Sequence, residues 1–228
     1  MGGYESKMQT QPKSMGFKEY SMVTKIYSPE DKVIIIGGGV SFKEVNTSKI
    51  KDKHIIGVNA AYKLGSWIDI LFFGDCRFYE WNRLELEKWS NSAVTCCTKL
   101  KNHPKIEYLE PIDSQHINIE DLNTISWPTK NGGANSGGAA ICLAAKLGAK
   151  NIFLLGFDGQ PVNGQHHWHN YYKMPSRDWV YSRFNNFFKV IAQDALECNI
   201  NIYNVNPDSA IPYFKKISVT EFYKMIGG

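Results

Sequence analysis

One segment limits the choice of fold more than any other. It begins Asn135-Ser136-Gly137-Gly138-Ala139-Ala140, runs through small and apolar residues to Gly148, and continues as Asn151-Ile152-Phe153-Leu154-Leu155-Gly156-Phe157-Asp158. A helix opened by a polar residue and two glycines, closed by glycine and followed by a buried-type strand ending in aspartate is an α/β unit. Ser136 is expected at the N-cap and Gly148 just past the helix end. The helix start faces the carboxyl ends of parallel strands. Its N–H groups and dipole favour anions such as phosphate there. Gly37-Gly38-Gly39-Val40-Ser41 is a second turn of this kind. Two such turns in one small chain point to a nucleotide-type ligand.

The rest of the chain alternates in the same manner. Strands are expected over residues 32–36, 54–59, 68–75, 93–98, 106–110, 151–158 and 200–205. Helices are expected over 77–89, 136–147, 177–198 and 218–226. Residues 111–135 and 159–176 read as long loops, which in a compact domain are usually functional. The pattern predicts a single α/β domain of Rossmann-like type over residues 28–228, its mostly parallel sheet flanked by helices. Residues 1–27 are polar and aperiodic and read as a flexible extension. A length of 228 residues and 43% hydrophobic content suit one such core, and a net charge of +4 is too mild for a dedicated nucleic-acid surface. No apolar run approaches the ~20 residues of a membrane span, and no signal peptide is visible. The five cysteines, Cys76, Cys96, Cys97, Cys142 and Cys198, form no C-x-x-C pair and read as reduced thiols of a cytoplasmic protein.

Polar residues gather at the predicted strand ends, where open α/β sheets bind ligands. They are Gly37-Gly38-Gly39, Asn59, Asp75, Gly156 with Asp158, and Asn206 with Ser209. Each also has a structural reading, as a tight turn or a helix cap. The glycine turn is not G-x-G-x-x-G, and no acid ends the second strand as a dinucleotide site would require. The histidines are more pointed, since three of the six fall in His166-His167-Trp168-His169, just after the Asp158 strand. Imidazole there suits general acid–base work. His167 and His169, an i, i+2 pair, could instead chelate a metal with Asp75 or Asp158, or simply pack with Trp168, Tyr171 and Tyr172. Aromatic residues crowd the neighbourhood: Phe78, Tyr79, Trp81, Trp127 and Trp179 join those three. Arg77, Arg83, Lys130, Lys173, Arg177 and Arg183 could offset phosphate charge.

In order, the motifs are a glycine turn, a V-N strand end, N-S-G with A-x-x-L-G, I-x-L-x-G-x-D, a histidine loop and N-P-x-S. This set, scattered over residues 32–213, resembles the Campylobacter-type bacterial sialyltransferases. It also resembles the Rossmann-like domain of motility accessory factors and archaeal hydroxymethyldihydropterin diphosphokinases, and above all small tailed-phage proteins with an H-W-H loop. The resemblance implies that Gly37, Gly38, Gly39, Ser41 and Asn59 hold a donor nucleotide. Asn135, Ser136 and Gly137 would touch its phosphates and sugar, with Asp75 nearby. Gly156 and Asp158 would face base or ribose, and Asn206 and Ser209 would lie near the nucleotide. His169, or second His167, would be the base that activates an acceptor hydroxyl. The chain departs from the sialyltransferase pattern at Gly38 and Val40 of the turn. It departs again at Ala134-Asn135, where that pattern has an arginine, and in a shorter segment over the sugar.

A glycosyltransferase-like enzyme follows as the first expectation. It takes a nucleotide-activated small-molecule donor and a hydroxyl acceptor of unspecified kind, and requires no cofactor. It would lie in the cytoplasm, the host's if the chain is phage-encoded, with no membrane partner and room for a homo-oligomer. A Mg²⁺-dependent diphosphokinase-like transferase, with Asp75 and Asp158 as metal ligands, is the second. A non-catalytic protein that sequesters a nucleotide is the third.

Overall fold

The computed structural model describes residues 25–130, 133–172 and 179–227. Ten strands and four α-helices follow one another in the alternation expected. The strands are β1 (Lys32–Ile36), β2 (His54–Val58), β3 (Ile70–Phe73), β4 (Ser92–Thr95), β5 (Glu107–Tyr108), β6 (Glu110–Ile112), β7 (Thr124–Ser126), β8 (Asn151–Leu155), β9 (Asn201–Asn204) and β10 (Lys215–Lys216). The helices are α1 (Cys76–Leu86), α2 (Ser136–Lys146), α3 (Trp179–Glu197) and α4 (Val219–Ile226). Eight strands form one sheet in the order β10-β9-β8-β1-β2-β3-β4-β5, and every pairing is parallel. β6 and β7 pair as a separate small parallel sheet inside the stretch read as loop.

The strand period sets the layers. Val33 and Ile35 of β1 face a core shared with α2 and α3. Ile34 and Ile36 face the opposite core, closed by Phe222 and Ile226 of α4. A third cluster seats Phe78 and Leu86 of α1 on Leu71 and Phe73 of β3. α2 is buried along nearly its whole length, which its small side chains make possible. A Cβ on Gly138 would lie 2.6 Å from the ring of Phe187.

Strand order fixes the ligand crevice. From β1 the chain builds outward through β2, β3 and β4, and from β8 it builds the other way through β9. The order therefore reverses between β1 and β8, and a crevice opens beyond their carboxyl ends.

Two expectations are corrected. Ile26 and Tyr27, placed in the loose extension, donate their N–H groups to the Leu147 carbonyl, both at 2.9 Å, and Tyr27 is buried. Residues 1–24 lie outside the described residues. Cys76 and Cys97 are not thiols but form a disulfide joining the first residue of α1 to the segment after β4. Cys96, Cys142 and Cys198 are free. The bridged residues lie 21 positions apart. Opening a loop of that size should cost about 3 kcal/mol. The Cys76→Ser/Cys97→Ser protein should accordingly unfold at lower urea than the oxidised wild type, and dithiothreitol should shift the wild type toward the variant.

Candidate active site

The crevice holds a cavity of about 750 Å³, well within the range of small-molecule sites. Its floor is the strand ends, and its walls are the starts of α1, α2 and α3. Helices that return over a parallel sheet begin at the carboxyl ends of its strands. The positive dipole ends of α1 and α2 therefore converge on one space.

The start of α2 is its best-formed part. Asn135, not Ser136, is the N-cap, and its side chain accepts from Gly138 N at 2.7 Å. Ser136 occupies the first helical position, where its hydroxyl accepts from Gly74 N at 3.2 Å. That hydroxyl keeps its proton to donate. Asn135, Ser136 and Gly137 all line the cavity. Gly74 has no room for a side chain, since a Cβ there would sit 2.2 Å from Trp127. Asp75 caps α1 and pairs with Arg77 at 2.6 Å. Burial works to raise its pKa, but the hydrogen bonds from Arg77 prevail and hold the carboxyl below its ordinary range. Of the six basic residues singled out, Arg77 alone lines the cavity among the described residues, and Lys173 and Arg177 lie outside them.

The glycine turn is a packing device as much as a ligand wall. Gly37 and Gly39 donate to the Leu155 and Gly156 carbonyls, each at 2.8 Å. A Cβ on Gly39 would fall 2.6 Å from the Gly156 oxygen. Gly156 itself has φ +68°, which glycine adopts without strain. The turn leads into a short 3₁₀ helix, Val40–Glu44, rather than the α-helix its likeness to the Ser136 turn suggests.

Asp158 is buried and fully engaged. One carboxylate oxygen accepts from Ser41 N at 3.0 Å, and the other accepts from the Ser41 hydroxyl and from Asn206 Nδ2 at 3.1 Å. Ser209 donates to the Phe157 carbonyl at 2.7 Å and accepts from Asn204 Nδ2 and Ile211 N. Ser41, Asn206 and Ser209 are thus set behind the cavity wall, where they tie the loops after β1, β8 and β9 together. Gly37, Gly38, Gly39, Asn59, Gly156 and Asp158 border the cavity itself.

The histidine loop is sewn onto the glycine turn. Trp168 N donates to the Gly38 carbonyl and Trp168 Nε1 to the Gly37 carbonyl, both at 2.9 Å. His167 lines the cavity, and its ring packs against Gly38. A Cβ on Gly38 would lie 3.0 Å from its Nδ1, tighter than most side-chain contacts. His169 is not on the cavity wall. It stacks behind His167 at 5.3 Å and on Tyr171 at 5.1 Å, with Tyr172 edge-on to both imidazoles. Burial, then the neighbouring His166, push the His167 pKa down to about 4. Burial, then His167 and Lys63, do the same to His169, also to about 4. Both rings are therefore neutral near pH 7. His166 stacks on Tyr181 of α3, with Nδ1 3.0 Å from the phenol oxygen.

The metal arrangements are not assembled. Among the described residues no three His, Cys, Asp or Glu side chains are grouped to hold an ion. The histidine rings stack instead of converging, Asp158 is spent on Ser41 and Asn206, and Asp75 is spent on Arg77.

No protein-family model matches the chain, and no curated protein matches it. Among solved structures, the monofunctional alpha-2,3-sialyltransferase Cst-I from Campylobacter jejuni is similar at a TM-score of 0.55 and 17% identity, over 86% of this chain and 82% of that one. The chain has a sialyltransferase-like fold. CstII from the same organism, in complex with cytidine-5'-monophosphate, gives a TM-score of 0.47 at 16% identity, over 81% of this chain and 84% of that one. Among the described residues no helix is long and apolar enough to cross a membrane.

Sequence reasoning missed the contribution of α3. Tyr181, Phe184, Asn185 and Phe188 line the cavity from one helix face. Their i, i+3, i+4, i+7 spacing was the available signal. Of the aromatic residues singled out, Phe78, Trp81, Trp127, Tyr172 and Trp179 border the cavity, and Tyr79, Trp168 and Tyr171 pack elsewhere.

Proposed function

We propose that the chain is a glycosyltransferase-like enzyme that binds a nucleotide-activated donor in this cavity and transfers its group to an acceptor hydroxyl. The observation that carries it is the placement of a neutral His167 in the same cavity as the start of α2. His167 borders the cavity, whereas His169 stacks behind it and does not. His167 replaces His169 as the preferred base on this ground.

The chemistry then follows from position. The bond between the transferred carbon and the donor's phosphate oxygen breaks, and the phosphate keeps the electron pair. The first turn of α2, the Ser136 hydroxyl and Arg77 stabilise the charge that grows there. The acceptor oxygen forms the new bond to that carbon, and its proton passes to the imidazole of His167. Asn59, the residue after β2, has a left-handed conformation, φ 50°. It is hydrogen-bonded to Tyr172, while its own Oδ1 is buried without a partner. A donor hydroxyl would satisfy that oxygen.

A thermal-shift panel of nucleoside mono- and diphosphates, nucleotide sugars and ATP, each with Mg²⁺ and with EDTA, tests donor binding. A cognate ligand at about 100 times its Kd should stabilise the fold by about 2.7 kcal/mol, in EDTA as in Mg²⁺. Stabilisation that needs both Mg²⁺ and a triphosphate would favour diphosphate transfer. No shift with any of them would remove the proposal.

A further inference from the structure

A base carried on a loop must be held still. It has to stay within about 2.6–3.2 Å of the proton it takes, and a misplacement of about 1 Å can cost 10²-fold in rate. Among the described residues, the segment after β8 that carries His167 has no helix or strand of its own, only the isolated bridge between Val162 and Gln165. Trp168 supplies two anchors. Its backbone N–H donates to the Gly38 carbonyl and its indole Nε1–H to the Gly37 carbonyl, both at 2.9 Å. The first donor belongs to the peptide that joins His167 to Trp168. Only the two side-chain torsions of His167 therefore lie between the anchored backbone and the imidazole. The second donor fixes the direction in which the chain leaves. The indole also packs on Phe42, with ring centroids 5.5 Å apart, against the core closed by α4. Gly37 and Gly39 are themselves bonded to the end of β8, so the base is referred to the sheet through Trp168. Trp168 does not border the cavity.

We infer that Trp168 is a positioning residue for the transfer: through its two hydrogen bonds, the glycine turn holds His167 at the cavity wall. The inference rests on the transferase proposal above.

Trp168→Phe keeps a ring for Phe42 and the backbone bond to Gly38, and removes only the indole donor. The assay is release of nucleotide from the nucleotide sugar that stabilises the fold, with methyl glycosides as hydroxyl acceptors. Trp168→Phe should lower kcat about ten-fold or more and leave donor Kd within a few-fold. In a His167→Ala background the same replacement should change kcat by less than about two-fold, because residues that act as a unit are not additive. The Cε1–H resonance of His167, assigned by its absence in His167→Ala, needs no substrate. Burial pushes that imidazole down to about 4, and a ring released from the turn should titrate nearer the ordinary value of about 6.5. Melting curves establish folding. Benzothienylalanine at position 168, which keeps the bicyclic shape without the N–H, repeats the test if the phenylalanine variant is unfolded. An unchanged His167 titration, an unchanged kcat, or the same loss in both backgrounds would overturn the role of Trp168 and leave the transferase reading intact. No release by the wild type from any nucleotide sugar would overturn that reading and the positioning role with it.

Discussion

Replacing His167 with alanine is expected to lower transfer about 10²- to 10⁴-fold while leaving donor affinity within a few-fold of wild type. The asymmetry follows from where the ring sits. His167 packs on Gly38 in the cavity, whereas the proposed phosphate-binding elements belong to α1 and α2. Loss of the imidazole removes the proton acceptor but none of those elements. The check is kcat and Kd measured separately, on the nucleotide donor that stabilises the fold. His169→Ala is the informative contrast. His169 stacks behind His167 and does not border the cavity, so its removal should act through ring packing and cost far less in kcat. Equal losses in both variants would return the base assignment to the cluster as a whole, and unchanged turnover in His167→Ala would exclude it as the base.

The same burial sets the pH dependence. A general base works when unprotonated, and with its pKa pushed down to about 4, His167 is unprotonated across the neutral range. The rate should stay level from pH 7.5 to about 5 and fall below that. Stability follows the same sign. The folded pKa values of His167 and His169 lie below the ordinary histidine value of about 6.5. Between about pH 6.5 and 4 the unfolded chain binds more protons than the folded one. The stabilisation is full above pH 6.5 and is lost as pH falls toward 4. Urea midpoints at pH 7.5 and 4.5 should separate more for wild type than for His167→Ala.

What the sequence made legible is what short-range pattern controls. The run Lys32–Ile36 is buried on both faces and could be read as an inner parallel strand. The small residues of α2 announced a helix pressed on the sheet, and its glycines touch Phe157 and Phe187 as such packing requires. Long-range pairing was not legible. The partners of Asp158 lie 117 and 48 residues away, and nothing near Ser41 or Asn206 marks them as its donors. Cys76 and Cys97 meet only because β3 and β4 are neighbours in the sheet. The histidines looked like an extended i, i+2 pair, but docking of Trp168 on the glycine turn stacks their rings instead. Asn185 reads as part of the polar stripe of an amphipathic helix until the cavity beneath it is known. Lys146 is similar: a lysine near a helix end suggests solvent, yet it is buried and donates to the Asn118 and Asp121 carbonyls under the helix.

Asp158→Ala is expected to destabilise the fold by about 3 kcal/mol, the largest stability loss of any single replacement at the site. The carboxylate accepts three hydrogen bonds in a buried setting. Removing it leaves the Ser41 N–H, the Ser41 hydroxyl and the Asn206 amide without an acceptor, each at a cost of about 1 kcal/mol or more. Alanine also frees the loops after β1 and β9 from the end of β8, so the glycine turn loses its support. Ser41→Ala removes one of those bonds and should cost about 1 kcal/mol. Because Ser41 and Asp158 share bonds, the double replacement should cost less than the sum of the two. Asp75→Ala is the control, because Asp75 is a partly exposed cap on α1 and its loss should stay near 1 kcal/mol. Urea unfolding of the four variants gives all the terms. A ligand-contacting Asp158 would behave in the opposite way, with the urea midpoint of Asp158→Ala unchanged and only nucleotide affinity reduced.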